Sequence, residues 1–261
     1  MKIEKFANRF VCDLNAYEPG KPIEETAREL GLDPATIVKV ASNENPLGPA
    51  PMALDAIRNA AEAMHIYPDG GGYKLRSALA EKFDLELENV VLGNGSNEII
   101  ELLCHCFLNE GAALIAAEHA FVVYKLMASL FGAKYVEVPD PNFIHDLDAM
   151  AAAITDETRL LFIANPNNPT GCVLSQQDRA ALVAQAERVG AWIVADEVYI
   201  GTERNTDVPT ESFWGSTERV IIVNSMSKAY GLPGLRLGWL IAPSNMMEAL
   251  WRRHEYASIS A

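Results

Sequence analysis

The chain is short of basic charge. Among 261 residues, 21 Lys and Arg stand against 35 Asp and Glu, a formal net charge of -14. A general nucleic-acid binder needs a basic face, so that class is excluded. A single arginine-lined pocket for a small anion is not. Cysteine is also scarce. Cys12, Cys104, Cys106 and Cys172 have no CxxC spacing and form no disulfide framework, which fits a reducing cytoplasm. No apolar run approaches a membrane span, and the first twenty residues hold none long enough for a secretory signal. His65, His105, His119, His145 and His254 show no ligand spacing. Cys104 and Cys106 sit two apart in a helical pattern, where they share no face, so no metal is expected. Repeats and low-complexity tracts are absent.

What remains is material for a core. Apolar residues make up 49% of the chain, enough at this length for one large domain or a domain and a half. Short apolar runs predict strands over residues 89–93, 112–117, 134–138, 159–164, 191–196, 219–225 and 236–242. Most lack polar alternation, as expected for strands buried on both faces. Helical patterns over 97–108, 121–131, 146–154 and 175–189 separate many of them. The expected fold is therefore α/β: three layers, helices on both sides of a seven-stranded, mainly parallel sheet. Ligands of such sheets sit at the carboxyl ends of the strands.

The polar residues of interest fall at those ends. "VLGNGSNEII" leads from a strand into a helix, and Ser96 and Asn97 stand where the free N–H groups favour an anion. A plain helix cap at Ser96 is the competing reading. "NPNNPTG" (residues 165–171) follows the fourth strand. It is either an Asn/Pro/Gly turn or a cluster of amides for a ligand. The fifth strand ends at Asp196, a buried carboxylate that needs a cationic partner. "NSMSKAYGLPGLRLGW" (residues 224–239) places Lys228 beyond a buried strand, with Ser225, Ser227 and Arg236 close by. A lysine, a strand-end aspartate and an anion cradle suit a cofactor bearing an aldehyde, a pyridine nitrogen and a phosphate. Pyridoxal 5'-phosphate carries all three. Solvated charges on a glycine-rich loop are the alternative for the last stretch alone.

"NPNNPTG", "DEVY" and "SMSKAYGLPGLRLGW" together resemble the fold-type I aminotransferases. "LNAYEPGKPIEE", "ASNENPLGP" and "YPDGGGYKLRSALA" resemble the histidinol-phosphate aminotransferase branch. The resemblance covers essentially the whole chain, with the motifs in the family's order. It implies a pyridoxal-phosphate-dependent transfer of an amino group between an amino acid or amino-alcohol phosphate and a 2-oxo acid such as 2-oxoglutarate. Lys228 would hold the cofactor covalently and move the proton. Asp196 would pair with the pyridine nitrogen, and Asn168 and Tyr199 with the ring hydroxyl oxygen. Phe121 would stack on the ring. Ser96, Asn97, Ser225, Ser227 and Arg236 would hold the phosphate. Tyr67 would reach the phosphate of a neighbouring subunit, implying a homodimer. Tyr17 and Asn43 would contact substrate. His119 falls near the expected ring position.

The resemblance also sets an expected partition: 1–45 an N-terminal arm and small-domain segment, 46–242 a large cofactor-binding domain, 243–261 the start of an interdomain helix. Family members continue further, so the small domain is expected to be incomplete and to lack the arginine that grips a substrate carboxylate. The helix after Pro243 would then expose Leu250, Trp251 and Tyr256. "EVYIGTERNTDVPTESFWG" is closer in flavour to general class I aminotransferases than to the histidinol-phosphate branch. Two further readings follow: a cofactor-binding but catalytically incompetent relative, or a decarboxylase or lyase on the same scaffold.

Overall fold

The computed structural model of the chain describes residues 5–12, 14, 20–204 and 206–254. In chain order the elements are α1 (Arg9–Cys12), α2 (Ile23–Leu30), α3 (Pro51–Ala60), α4 (Tyr73–Phe83), β1 (Val90–Asn94), α5 (Gly95–Phe107), β2 (Ala113–Ala117), α6 (Val122–Leu130), β3 (Lys134–Val138), α7 (Leu147–Ala153), β4 (Thr158–Ala164), α8 (Gln176–Val189), β5 (Trp192–Asp196), β6 (Val220–Ser225), β7 (Leu237–Ile241) and α9 (Met247–His254).

The seven strands form one sheet in the order β1-β7-β6-β5-β4-β2-β3. β2 to β6 run parallel, and β7 runs antiparallel to both β1 and β6. Successive residues of a strand face opposite sides, and here both sides are packed. Val91, Leu160, Phe162, Val194, Ile221 and Leu240 join the core on the α5–α6–α9 side. Leu92, Leu161, Ile163, Ile193, Ile222 and Trp239 join the core with residues of α7 and α8. This two-sided burial is why the strands read as continuous apolar runs.

Local signals set the helix ends. Ser175 accepts from the Asp178 N–H at 3.1 Å, and Asp178 accepts from the Ser175 N–H, a reciprocal box that starts α8. Gly190, at φ 71°, ends it. α5 starts at Gly95, two residues earlier than the pattern predicts, and its N-cap is Asn94. Ser96 therefore lies inside the first turn and does not cap the helix.

The expected exposure of the last helix is corrected. Leu250 is 1% exposed and Trp251 is half-buried, because α9 folds back onto α5 and β1. The Arg76 guanidinium lies 4.9 Å above the Trp251 ring. Tyr256 is outside the described residues. Among the described residues no helix is long and apolar enough to cross a membrane.

Candidate functional site

The carboxyl ends of β4, β5 and β6, the start of β7 and the start of α5 converge on one cleft of about 430 Å³. Eleven expected site residues line it: Asn43, Ser96, Asn97, Phe121, Asn168, Asp196, Tyr199, Ser225, Ser227, Lys228 and Arg236. Two do not. Tyr67 is 86% exposed elsewhere on the surface, and Tyr17 lies outside the described residues.

The topology explains how residues more than a hundred positions apart meet. Parallel strands put their C-terminal residues, Asp196 and Ser225, at one edge of the sheet. β7 runs the other way, so its entry residue Arg236 reaches the same edge. Gly93 pairs with Gly238 across β1 and β7. The approach is close: a Cβ on Gly238 would lie 2.5 Å from the Gly95 carbonyl carbon and 2.7 Å from the Ser96 nitrogen. A Cβ on Gly95 would run into the Arg236 guanidinium. Glycine lets β7 lay an arginine across the N-terminus of α5. Arg236, itself at φ 53°, donates to the Pro233 carbonyl at 3.0 Å. The Ser225 hydroxyl accepts from the Ser227 N–H at 3.2 Å. Four side chains with N–H or O–H donors, a guanidinium and the open end of a 13-residue helix thus share one corner.

At the floor of the cleft Asp196 is buried. Its Oδ2 accepts from the Tyr124 hydroxyl at 2.6 Å, and its Oδ1 accepts from the Val198 N–H at 3.3 Å. Burial pushes its pKa up, and the Tyr124 bond, the Val198 bond and the Lys228 charge pull it back toward ionisation. Tyr124 was missed from sequence. It is fully buried, stacks on Phe162 with centroids 4.3 Å apart, and meets Phe121 edge-on at 5.8 Å. The available signal is its spacing: it falls in the first turn of α6, three residues after Phe121, the helix's N-cap.

Lys228 donates to the carbonyls of Ser42 at 2.8 Å and Asn43 at 3.2 Å. Burial lowers its pKa and the Arg236 charge adds to this, while Glu44 and Asp196 oppose it. Ser42 and Asn43 hold φ of 69° and 48°, an uncommon backbone for such residues, and this turns their carbonyls to the amine. Asn43 Nδ2 also donates to Asn168 Oδ1 at 3.2 Å and to the Tyr199 hydroxyl at 3.0 Å. Asn45 Nδ2 donates to the Lys228 carbonyl at 3.2 Å. The roles of Ser42 and Asn45 were not legible, because backbone acceptors leave no trace in residue type. His119 is tied back instead of entering the cleft. Its Nδ1 lies 2.6 Å from Asp140 Oδ1, its carbonyl accepts from Asn167, and Glu118 is the third member of this cluster.

The residue after Asp196 faces the other way. Glu197 is buried and accepts from the Phe213 N–H at 2.7 Å and from the Ser212 hydroxyl. Burial raises its pKa from 4.5 to about 7, against the pull of those bonds and of Arg179. A raised carboxyl pKa means the native state holds a proton that the unfolded chain releases. The stability from that proton is full below about pH 4.5 and lost as pH rises through about 7. Between those limits the loss is on the order of 3 kcal/mol. Glu197→Gln should flatten this slope in urea unfolding curves at pH 5 and pH 8. An unchanged slope would assign it to other groups.

The cleft fits pyridoxal phosphate by its donor set: a buried carboxylate at the floor, an amine whose pKa burial lowers, and a cluster of anion donors at the helix start. Comparison with known proteins agrees. Residues 35–259 match the family model "Aminotransferase class I and II". The chain is 51% identical over 252 residues to histidinol-phosphate aminotransferase of Akkermansia muciniphila, covering 96% of this chain and 69% of that one. It is 44% identical to histidinol-phosphate aminotransferase 2 of Pseudomonas fluorescens strain Pf-5, covering 93% and 65%. The chain thus spans about two-thirds of the length of these relatives. Among solved structures, histidinol-phosphate aminotransferase from Sinorhizobium meliloti with pyridoxal-5'-phosphate superposes with a TM-score of 0.82 at 25% identity, covering 95% of this chain and 66% of that one. Aspartate aminotransferase from Thermus thermophilus with maleate gives 0.84 at 25% identity, covering 97% and 69%. Together with the geometry of the cleft, these matches show that the chain belongs to the class I and II aminotransferases, pyridoxal-phosphate enzymes of fold type I.

Proposed function

We propose that the chain carries the cofactor site of a histidinol-phosphate-type aminotransferase, moving an amino group from an amino-alcohol phosphate to a 2-oxo acid such as 2-oxoglutarate. The observation that carries the reading is the joint placement of Lys228, Asp196 and the α5–Arg236 corner around one cleft. When bound, pyridoxal phosphate supplies an electron-accepting ring that stabilises negative charge on the substrate carbon.

The chain's own residues do the rest. Ser96, Asn97, Ser225, Ser227 and Arg236 bind the phosphate. Asp196 would hold the pyridine nitrogen protonated, with the Tyr124 hydroxyl fixing the carboxylate. Phe121 would cover one face of the ring, and Asn168 and Tyr199 would bond its hydroxyl oxygen. Lys228, with its lowered pKa, is poised to act as nucleophile and then as the proton carrier at the Nζ atom. Asn43 ties Asn168 and Tyr199 to the substrate side. Tyr67 and the exposed apolar residues near it, Met64 and Ile66, favour a second copy of the chain as partner, in which Tyr67 meets the neighbouring site. The same electron-accepting ring serves decarboxylases and lyases, but similarity to named histidinol-phosphate aminotransferases favours amino transfer.

The test is a half-reaction. Histidinol phosphate added to the cofactor-loaded chain should convert the cofactor's visible absorbance to that of the amine form, and 2-oxoglutarate should reverse it. Release of carbon dioxide, or an unchanged spectrum with every donor tried, would overturn the proposal in favour of the other chemistries.

A further inference from the structure

Beyond Tyr199 the cofactor cleft opens into a second chamber. A cavity of about 860 Å³ lies between residues 38–47 and the loop after Tyr199, and shares Asn43, Tyr199 and Lys228 with the cleft. Its wall is mixed. Val38, Val40 and Leu47 present apolar surface, each at least 85% exposed. Arg204 lines this chamber and also the adjoining cavity beside Asn168 and Val173.

The charges around the chamber are already committed, with one exception. Lys39 is paired with Glu44 at 2.9 Å. Lys228 faces the Ser42 and Asn43 carbonyls. Glu203 spends both carboxylate oxygens on its own loop, accepting from the Gly201 N–H and the Thr210 N–H at 2.7 Å each. That pins the loop and leaves Glu203 a poor partner for its neighbour. Arg204 makes no ion pair among the described residues. In a chain of net charge -14, an uncommitted guanidinium bordering a reaction cleft calls for an anion.

We propose that this chamber is the donor subsite and that Arg204 takes the anionic far end of the amino donor. The donor would lay an apolar or aromatic body against Val38, Val40 and Leu47, with its amine toward Lys228 and its phosphate or carboxylate toward Arg204. Two cationic groups then divide the work. Arg236 lies at the α5 corner with the cofactor phosphate, and Arg204 lies past Tyr199 with the donor. The assignment rests on the amino-transfer reading and adds to it a residue that selects among donors.

The experiment is a calorimetric titration of the chain loaded with the amine form of the cofactor, which does not react with an amine. Histidinol phosphate and histidinol are compared for wild type, Arg204→Ala and Arg204→Lys. Arg204→Ala should weaken histidinol phosphate about tenfold or more, the scale of one charge-assisted bond, and histidinol less than about twofold. Arg204→Lys should recover part of the loss, and added salt should shrink the difference between the two ligands. Equal losses for both ligands, or undiminished preference for the phosphorylated one in Arg204→Ala, would overturn the role of Arg204. A wild-type chain that binds neither compound would instead overturn the donor reading beneath it.

Discussion

Lys228→Ala should remove every trace of covalently reducible cofactor. Borohydride treatment of the wild-type chain with pyridoxal phosphate should leave a pyridoxyl group on one peptide, the one containing Lys228. In the alanine variant no labelled peptide should remain. The physical ground is the environment of the amine. Burial beside Arg236 lowers its pKa, so a larger share is neutral and nucleophilic at a given pH than for a solvated lysine. The Ser42 and Asn43 carbonyls hold its Nζ at the cleft wall until the aldehyde arrives. Any donor half-reaction should slow by roughly 10²–10⁴-fold, the range for losing a positioned proton-transfer group. Phosphate binding should survive, because the cradle at α5 does not include this lysine. Labelling on Lys125 or Lys134 would show that the cofactor enters elsewhere.

Asp196→Asn should keep cofactor binding and slow removal of the substrate proton severely. The carboxylate is buried at the cleft floor and bonded on both oxygens. An amide cannot hold a pyridine nitrogen protonated, so the ring accepts electrons poorly. Losing a buried charged partner typically costs 2–5 kcal/mol, or about 30- to several-thousand-fold in rate. Tyr124→Phe should act in the same direction and more weakly, by about tenfold, since it removes one bond to a charged acceptor. The two changes should not add, because both work through the same carboxylate. Rapid-mixing kinetics of the four proteins, read together with the pH dependence of the cofactor absorbance, checks both points. Additive losses, or an absorbance titration unmoved by Tyr124→Phe, would reduce Tyr124 to a packing residue.

Most of the frame is legible in the residues for a simple reason. A strand packed on both faces must be apolar along its buried length, and "LLFIA", "WIVA" and "VIIV" are. Asp196 stands out because a carboxylate ending such a run is costly without partners. The lysine and the serines stand out because small polar residues crowd one turn. The direction of β7 is not legible. Its apolar run would serve either orientation, yet only the antiparallel one brings Arg236 to the cleft. Tyr124 is hidden among apolar helix residues: its spacing from Phe121 hints that it lies beside the cleft, but nothing in "FVVY" marks a hydroxyl that meets a carboxylate 72 positions later. Leu250 was read as exposed because its covering partner, α5, is distant in sequence and its docking depends on the whole sheet edge.

The pairing of β1 with β7 joins residues about 150 positions apart: Val90 faces Ile241 and Asn94 faces Leu237. β1 is also an edge strand of the sheet, and β7 is its strand partner. The donor corner draws on three strands: Ser96 and Asn97 follow β1, Ser225 ends β6 with Ser227 just beyond it, and Arg236 precedes β7. The corner cannot exist in a chain that has assembled β2 to β6 alone. Contacts of such long sequence separation carry a loop-closure cost that must be met before they add stability. If that corner holds the cofactor phosphate, as proposed, uptake should report closure of the β1–β7 pair, and added cofactor should stabilise only the molecule in which that pair has formed.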